Sequence, residues 1–290
     1  MRVYAHHPEQ VASAGRSVAL KKLVVPLSLA VAVVMVMVWI LALEKDSTVP
    51  WLSNGCGTEP PAVPGETVAR SMLVDGLERE YRLHLPTNHD QDTATSLVLA
   101  FHWYGGNARN MESATWLSRH ADKHGYIAVY PDSTSFDDEF GTHTSWNDLS
   151  CSVSSGPEGP TCSRRLGWPF PPECGEPSDC VWCTCHDDVA FVDQLLDELE
   201  NTLCIDLDRV YATGISNGAM FVHRLGCDMA DRFAAIAPVA GTPAKGFRCA
   251  PGASTPISIM HLHGDQDGSY PADGSKSTAG WFYVPVADMI

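Results

Sequence analysis

The chain has 290 residues, 44% of them hydrophobic, and a formal net charge of −16. That length allows one large or two small domains with a sizeable core. Such an acidic balance argues against nucleic acid or an anionic membrane surface as a partner.

Residues 23–43 carry no charged side chain and are almost wholly apolar. A helix of about 20 such residues spans a bilayer. Arg16, Lys21 and Lys22 precede the run, and Glu44 and Asp46 follow it. Positive residues stay cytoplasmic, so the sequence predicts a cytoplasmic tail over 1–22, a transmembrane signal anchor over 23–43 and an extracytoplasmic remainder. A cleaved signal peptide with secretion is the alternative, although its apolar stretch is usually only roughly 7–15 residues long and a small-residue cleavage site follows it. Both readings export the rest of the chain. All ten cysteines lie after position 50, and in an oxidising compartment most would form disulfides.

Residues 44–66, with Pro50, Pro60, Pro61 and Pro64, read as a linker. One domain is expected over 67–290. Strands are predicted at 67–73 and 80–85 around an Asp75-Gly76 turn. Residues 96–102 form a continuous apolar run that ends in His102-Trp103-Tyr104-Gly105-Gly106. Unbroken apolar strands suit a parallel sheet covered on both faces. A helix over 110–124 and a strand over 126–130 follow, closed by Pro131. The pattern then breaks over 132–186, which holds Cys151, Cys162, Cys174, Cys180, Cys183 and Cys185. Structureless loops beyond about 12–15 residues are uncommon inside a domain unless they are functional. The stretch therefore reads as a disulfide-stapled insertion beside the active-site mouth. The spacing Cys180-x-x-Cys183-x-Cys185-His186 also suits zinc, but export favours disulfides, and no metal or other cofactor is expected. Residues 187–203 predict an amphipathic helix with Val189, Phe191, Val192, Leu195, Leu196 and Leu199 buried. Further strands are predicted at 233–239 and 256–262. Alternating strands and helices predict an α/β fold with a mainly parallel sheet.

The chemistry centres on residues 210–225. A short apolar strand, 210–213, leads into Gly214-Ile215-Ser216-Asn217-Gly218, and a helix with Met220, Phe221 and Leu225 on its apolar face follows. Strand, sharp turn and helix are the setting of a G-x-S-x-G nucleophile elbow. The serine is held in a strained conformation, and Gly214 and Gly218 remove side chains that would clash. Ser216 is therefore the predicted nucleophile. The Asn217 amide, and the Tyr104 amide from the loop after strand 96–102, are the predicted oxyanion donors. Asp265 and Asp267, just past the end of strand 256–262, are the candidate acids. Trp103, Trp146, Trp168 and Trp182 lie in loops expected at the rim, and Trp103 and Trp146 are read as substrate-binding.

In this architecture the triad runs Ser, acid, His along the chain, yet no histidine follows Asp267. The domain is therefore expected to be C-terminally incomplete, with the histidine beyond Ile290. An inactive relative is the alternative.

From about Glu80 onward the chain resembles the exported esterase family that includes polyhydroxybutyrate depolymerases and feruloyl esterases. The matching pieces are Tyr81-Arg82-Leu83-His84-Leu85-Pro86, His102 with Gly105-Gly106-Asn107-Ala108, Ser145-Trp146-Asn147, Asp187-Asp188-Val189-Ala190-Phe191-Val192, residues 209–220, residues 235–241, and His263-Gly264 through Asp267. The resemblance implies an α/β-hydrolase fold and a serine esterase that hydrolyses carboxylic esters, with a polyester or a plant-polysaccharide-linked ester as substrate. It assigns the acid to Asp267 rather than Asp265. Family members usually carry His-Gly at the oxyanion loop, whereas Trp103 follows His102 here. A non-catalytic polymer- or glycan-binding relative, or a peptidase on the same fold, are the rival readings.

Overall fold

In a computed structural model, the described residues are 1–6, 23–24, 51–138, 141–149, 155–156, 159–160, 184, 186–249 and 255–289. The strands in chain order are β1 (Arg2–His6), β2 (Leu23–Val24), β3 (Thr67–Val74), β4 (Leu77–His84), β5 (Thr95–Phe101), β6 (Tyr126–Pro131), β7 (Ser135–Asp138), β8 (Gly141–Thr144), β9 (Ser155–Gly156), β10 (Gly159–Pro160), β11 (Ile205–Ile215), β12 (Ala235–Val239) and β13 (Ser258–His263). The helices are α1 (Ala108–Thr115), α2 (Leu117–His124), α3 (Asp188–Thr202) and α4 (Asn217–Asp228). The main sheet has the order β2-β1-β13-β12-β11-β5-β6-β4-β3. Its centre, β13 to β6, is parallel, and antiparallel strands close both sides.

The period-2 alternation of β5 explains how the sheet is covered. Leu97, Leu99 and Phe101 enter one core cluster with α3 and α4. Val98 and Ala100 enter a second, on the opposite face, with Met111, Leu117 and Ala121 of α1 and α2. Burial on both faces accounts for the unbroken apolar run. The predicted hairpin is present: Asp75 and Gly76 both have positive φ, 51° and 82°, as a two-residue turn matched to strand twist requires. Helix α3 starts on Asp187, whose side chain accepts from the Ala190 amide at 3.0 Å and so satisfies one of the exposed first-turn donors.

Several expectations are corrected. No helix among the described residues is long and apolar enough to cross a membrane. Residues 2–6, expected in a cytoplasmic tail, pair antiparallel with β13, Arg2 opposite His263. Leu23 and Val24, expected to open the membrane span, pair with Val3 and Arg2. Strand pairing places these segments on the main sheet, so the predicted transmembrane helix opening at Leu23 is not supported. Residues 25–50 lie outside those described. The single helix predicted over 110–124 is two helices, broken at Trp116, which adopts φ 56° while its amide still caps Glu112.

Residues 51–66 are not a free linker. Ser53 accepts from the Ile205 amide at 2.8 Å, Gly55 donates to Glu200, and Cys56 is bonded to Cys204. A second disulfide joins Cys227 and Cys249. Cys151, Cys162, Cys174, Cys180, Cys183 and Cys185 lie outside the described residues, as do Trp168 and Trp182.

Trp146 is fully buried and so cannot offer its ring to a substrate. It stacks on Phe221 at 5.1 Å, meets Phe101 edge-on, and donates its indole N–H to the His102 carbonyl at 3.0 Å. Trp146→Ala should cost about 3–5 kcal/mol, as emptied aromatic sites do. Denaturant unfolding checks this; a loss below about 1 kcal/mol would mean the ring is not packed as described.

Candidate active site

β11 ends at Ile215, and α4 begins at Asn217. Ser216, between them, has φ 58° and ψ −120°, a backbone that L-residues seldom adopt and that costs about 1–3 kcal/mol. The surroundings hold it there. The Ser216 amide donates to Val239 O at 3.0 Å, and its carbonyl accepts from Ala219 and Met220. Three glycines leave no room for a Cβ. One built on Gly214 would lie 2.5 Å from Gly218 O, one on Gly218 would lie 2.4 Å from Phe101 O, and one on Gly241 would lie 2.4 Å from Ser216 O. The first two were expected from the motif. Gly241, on the loop after β12, has no local signal of this role, because its contact is with a strand-end 25 residues earlier in the sequence.

Asn217 is wholly buried and clamps the elbow to the segment carrying Trp146. Its side-chain oxygen accepts from the Trp146 amide at 2.8 Å, and its nitrogen donates to Asp148 at 3.0 Å. A second clamp lies beneath. Arg79 and Asp188 form a buried ion pair at 2.7 Å, and the other Asp188 oxygen accepts from the Asn147 amide at 2.7 Å. Burial pushes the Asp188 carboxyl up from its usual range, while Arg79 opposes the shift. Arg224 of α4 donates to the Asn147 carbonyl. Arg79 and Arg224 read in the sequence as ordinary polar positions, with no local signal of this role.

The 103–106 loop is fixed from both sides. The His102 Nδ1–H donates to Trp103 O at 2.7 Å, and its Nε2 accepts from the Ser133 amide. Gly105, at φ 71°, donates to Thr144 O. The Tyr104 hydroxyl meets His143 at 3.0 Å. Trp103 is half-buried, packs against the second core cluster and lies against Gly106.

Asp267 lies in the loop after β13. One oxygen accepts from the Ser269 and Tyr270 amides at 2.8 and 2.9 Å, and the other lies 3.8 Å from His263 Nε2. Asp265 instead faces the N-terminal amine at 3.8 Å and is 41% exposed. The Ser216 hydroxyl lies 3.3 Å from the Tyr270 hydroxyl, so Tyr270 connects the serine to the Asp267 loop. No sequence motif marks Tyr270. Among the described residues, no histidine hydrogen-bonds Ser216.

Burial holds several histidines neutral. His102 is lowered to about 4 and His223 to about 3. Below about pH 6.5 the unfolded chain takes up protons at these residues that the folded chain refuses. Their stability contribution is complete above that pH and falls as pH falls, by about 1.4 kcal/mol per unit for each residue. Asp132, raised by burial to about 6, acts the other way below pH 6, as does Asp188, but His261 and His263, also lowered by burial, add to the histidine side and outweigh them. The urea midpoint is therefore expected to drop between pH 7 and pH 5. An unchanged midpoint would contradict the neutral, buried assignment.

No protein-family model matches the chain. It is 26% identical over 238 residues to a probable feruloyl esterase C of Aspergillus clavatus, which covers 82% of this chain and 70% of that protein. It is 32% identical to the putative esterase NocK of Nocardia uniformis, over 74% of this chain and 52% of that one. It is 26% identical to feruloyl esterase C of Emericella nidulans, over 79% and 67%. The chain thus spans little more than half of NocK and about two thirds of the fungal proteins. Among solved structures it is similar to a thermostable esterase, with TM-score 0.48 and 19% identity over 72% of this chain and 49% of that one. It is also similar to an acetyl xylan esterase from Aspergillus awamori, with TM-score 0.42 and 16% identity over 61% and 53%. By sequence, the chain is a homologue of proteins named feruloyl esterase and esterase.

Proposed function

We propose that the protein hydrolyses carboxylic esters through an acyl-enzyme on Ser216. The observation that carries this reading is the strained Ser216 backbone at a strand-to-helix bend, enforced by three glycines that tolerate no side chain. Strain of this kind persists only where the surroundings over-determine it, and it clusters at functional sites. Ser216 Oγ attacks the ester carbonyl and passes its proton to an imidazole, which none of the described residues supplies. The amides of Asn217 and Tyr104 receive the oxyanion, and each such donor is worth about 10²–10³ in rate. Asp267 orients the imidazole and stabilises its charged form. The imidazole returns the proton to the departing alcohol, and water then releases the acid.

The names of the relatives favour feruloyl esters; polyester is the second substrate class, and it rests on the sequence resemblance alone. An extracytoplasmic setting is supported by the two disulfides. The test uses the full-length protein, on p-nitrophenyl acetate and methyl ferulate. Turnover of both is expected, and folded protein that cleaves neither would end the reading. Asp267→Asn should lower kcat by about 10⁴ by disturbing the imidazole tautomer, whereas Asp265→Asn should leave it unchanged. The reverse result would move the acid to Asp265.

A further inference from the structure

His223 of α4 and His261 and His263 of β13 form a buried row, each 2% exposed or less. The rings stack, with centroids 5.3 Å apart for the first pair and 5.2 Å for the second. Their nitrogens are linked: His223 Nε2 to His261 Nδ1 at 3.2 Å, His261 Nε2 to His263 Nδ1 at 2.9 Å, and His263 Nε2 to the Tyr270 carbonyl at 2.5 Å. Burial is the first cause that lowers all three below the ordinary imidazole value, and the neighbouring rings lower His223 and His261 further.

The proton positions follow from the last link. A carbonyl oxygen only accepts, so His263 must carry its proton on Nε2. Being neutral, it then offers a bare Nδ1, and His261 must donate from Nε2. The same logic makes His223 donate from Nε2 and leaves His223 Nδ1 bare. That atom is buried and has no partner among the described residues, as the end of a one-way chain should be. Any flipped tautomer would set two donors or two acceptors face to face.

The chain ends at the acid loop. The carbonyl it grips belongs to Tyr270, whose amide donates to Asp267 and whose hydroxyl meets Ser216. We propose that His223, His261 and His263 are positioning residues, a directional imidazole chain that fixes the Asp267–Tyr270 turn from the core. Its effect on turnover rests on the esterase reading above; its proton arrangement does not.

The experiment uses the full-length protein at neutral pH. Long-range ¹H–¹⁵N spectra should show all three histidines as neutral Nε2–H tautomers, and an Nδ1–H form at His261 or His263 would overturn the chain even if the protein were an inactive relative. His263→Leu removes the donor to Tyr270 and should lower kcat about a hundredfold, as a shift of about 1 Å in a reacting group does, with KM little changed. His263→Gln restores an N–H near the same place and should recover most of the loss. Equal kcat in wild type and the leucine variant, or equal loss in both variants, would mean that the ring only fills space. If ester turnover is absent from wild type while the Nε2–H pattern is present, the esterase reading fails and the chain stands. Should His263→Leu not fold, His223→Phe, at the far end, is expected to leave the His263 tautomer intact; a flipped tautomer there would equally refute the proposal.

Discussion

Ser216→Ala is expected to lower ester turnover by about 10⁶, the scale seen when a triad nucleophile is removed, while leaving substrate affinity and folding nearly unchanged. The folding half of this expectation is specific to the site. The hydroxyl has one partner among the described residues, the Tyr270 hydroxyl at 3.3 Å, so little is lost with it. Alanine keeps the Cβ and therefore the strain. Ser216→Gly sharpens the point: glycine adopts φ 58° without penalty, so this variant should be about 1 kcal/mol more stable than wild type and equally inactive. A glycine variant less stable than the alanine one would mean that the backbone at 216 is not strained. Steady-state kinetics and denaturant melts on the three proteins decide both halves.

Gly218→Ala is expected to remove about 4 kcal/mol or more, or to abolish folding outright. Its Cβ would sit 2.4 Å from the Phe101 carbonyl and 2.5 Å from that of His102. Both are backbone atoms at the end of the central strand β5, so no side chain can swing aside. Relief requires α4 to lift from the sheet. That movement pulls Asn217 off Trp146 and Asp148 and separates Phe221 from Trp146. Severe losses of this kind come from overpacking against an immobile wall. The control is Gly76→Ala in the β3–β4 turn, where φ is 82° but nothing lies within 4 Å of the added carbon. It carries only the conformational penalty, about 1 kcal/mol. Similar losses at the two positions would contradict the close approach of α4 to β5.

The elbow was legible because it is local: a strand, a tight turn and a helix announce themselves within sixteen residues. The β3–β4 hairpin and α3 were legible for the same reason, through Asp75-Gly76 and a regular apolar stripe. Other features depend on contacts that only the tertiary structure supplies. Trp146 looks like a rim aromatic in a polar stretch, but it is core because Asn217 and Phe221 of α4 close over it. The apolar run after Lys22 matches a membrane span by length alone, and strand pairing of its first two residues with Val3 and Arg2 cannot be read from hydropathy. The polar residues Asp206, Asp208 and Arg209 hid the first half of β11; Asp206 and Arg209 satisfy each other there at 2.6 Å. Arg79 and Asp188 stand 109 positions apart, and Tyr270 reaches Ser216 only through the fold.

Ester hydrolysis by this chain requires an activated hydroxyl at position 216. The most direct measurement is fluorophosphonate labelling of the full-length protein, followed by peptide mapping. A single adduct on Ser216, absent from Ser216→Ala, is the predicted result. An adduct on another residue, or none on protein whose near-ultraviolet circular dichroism shows an intact fold, would contradict it.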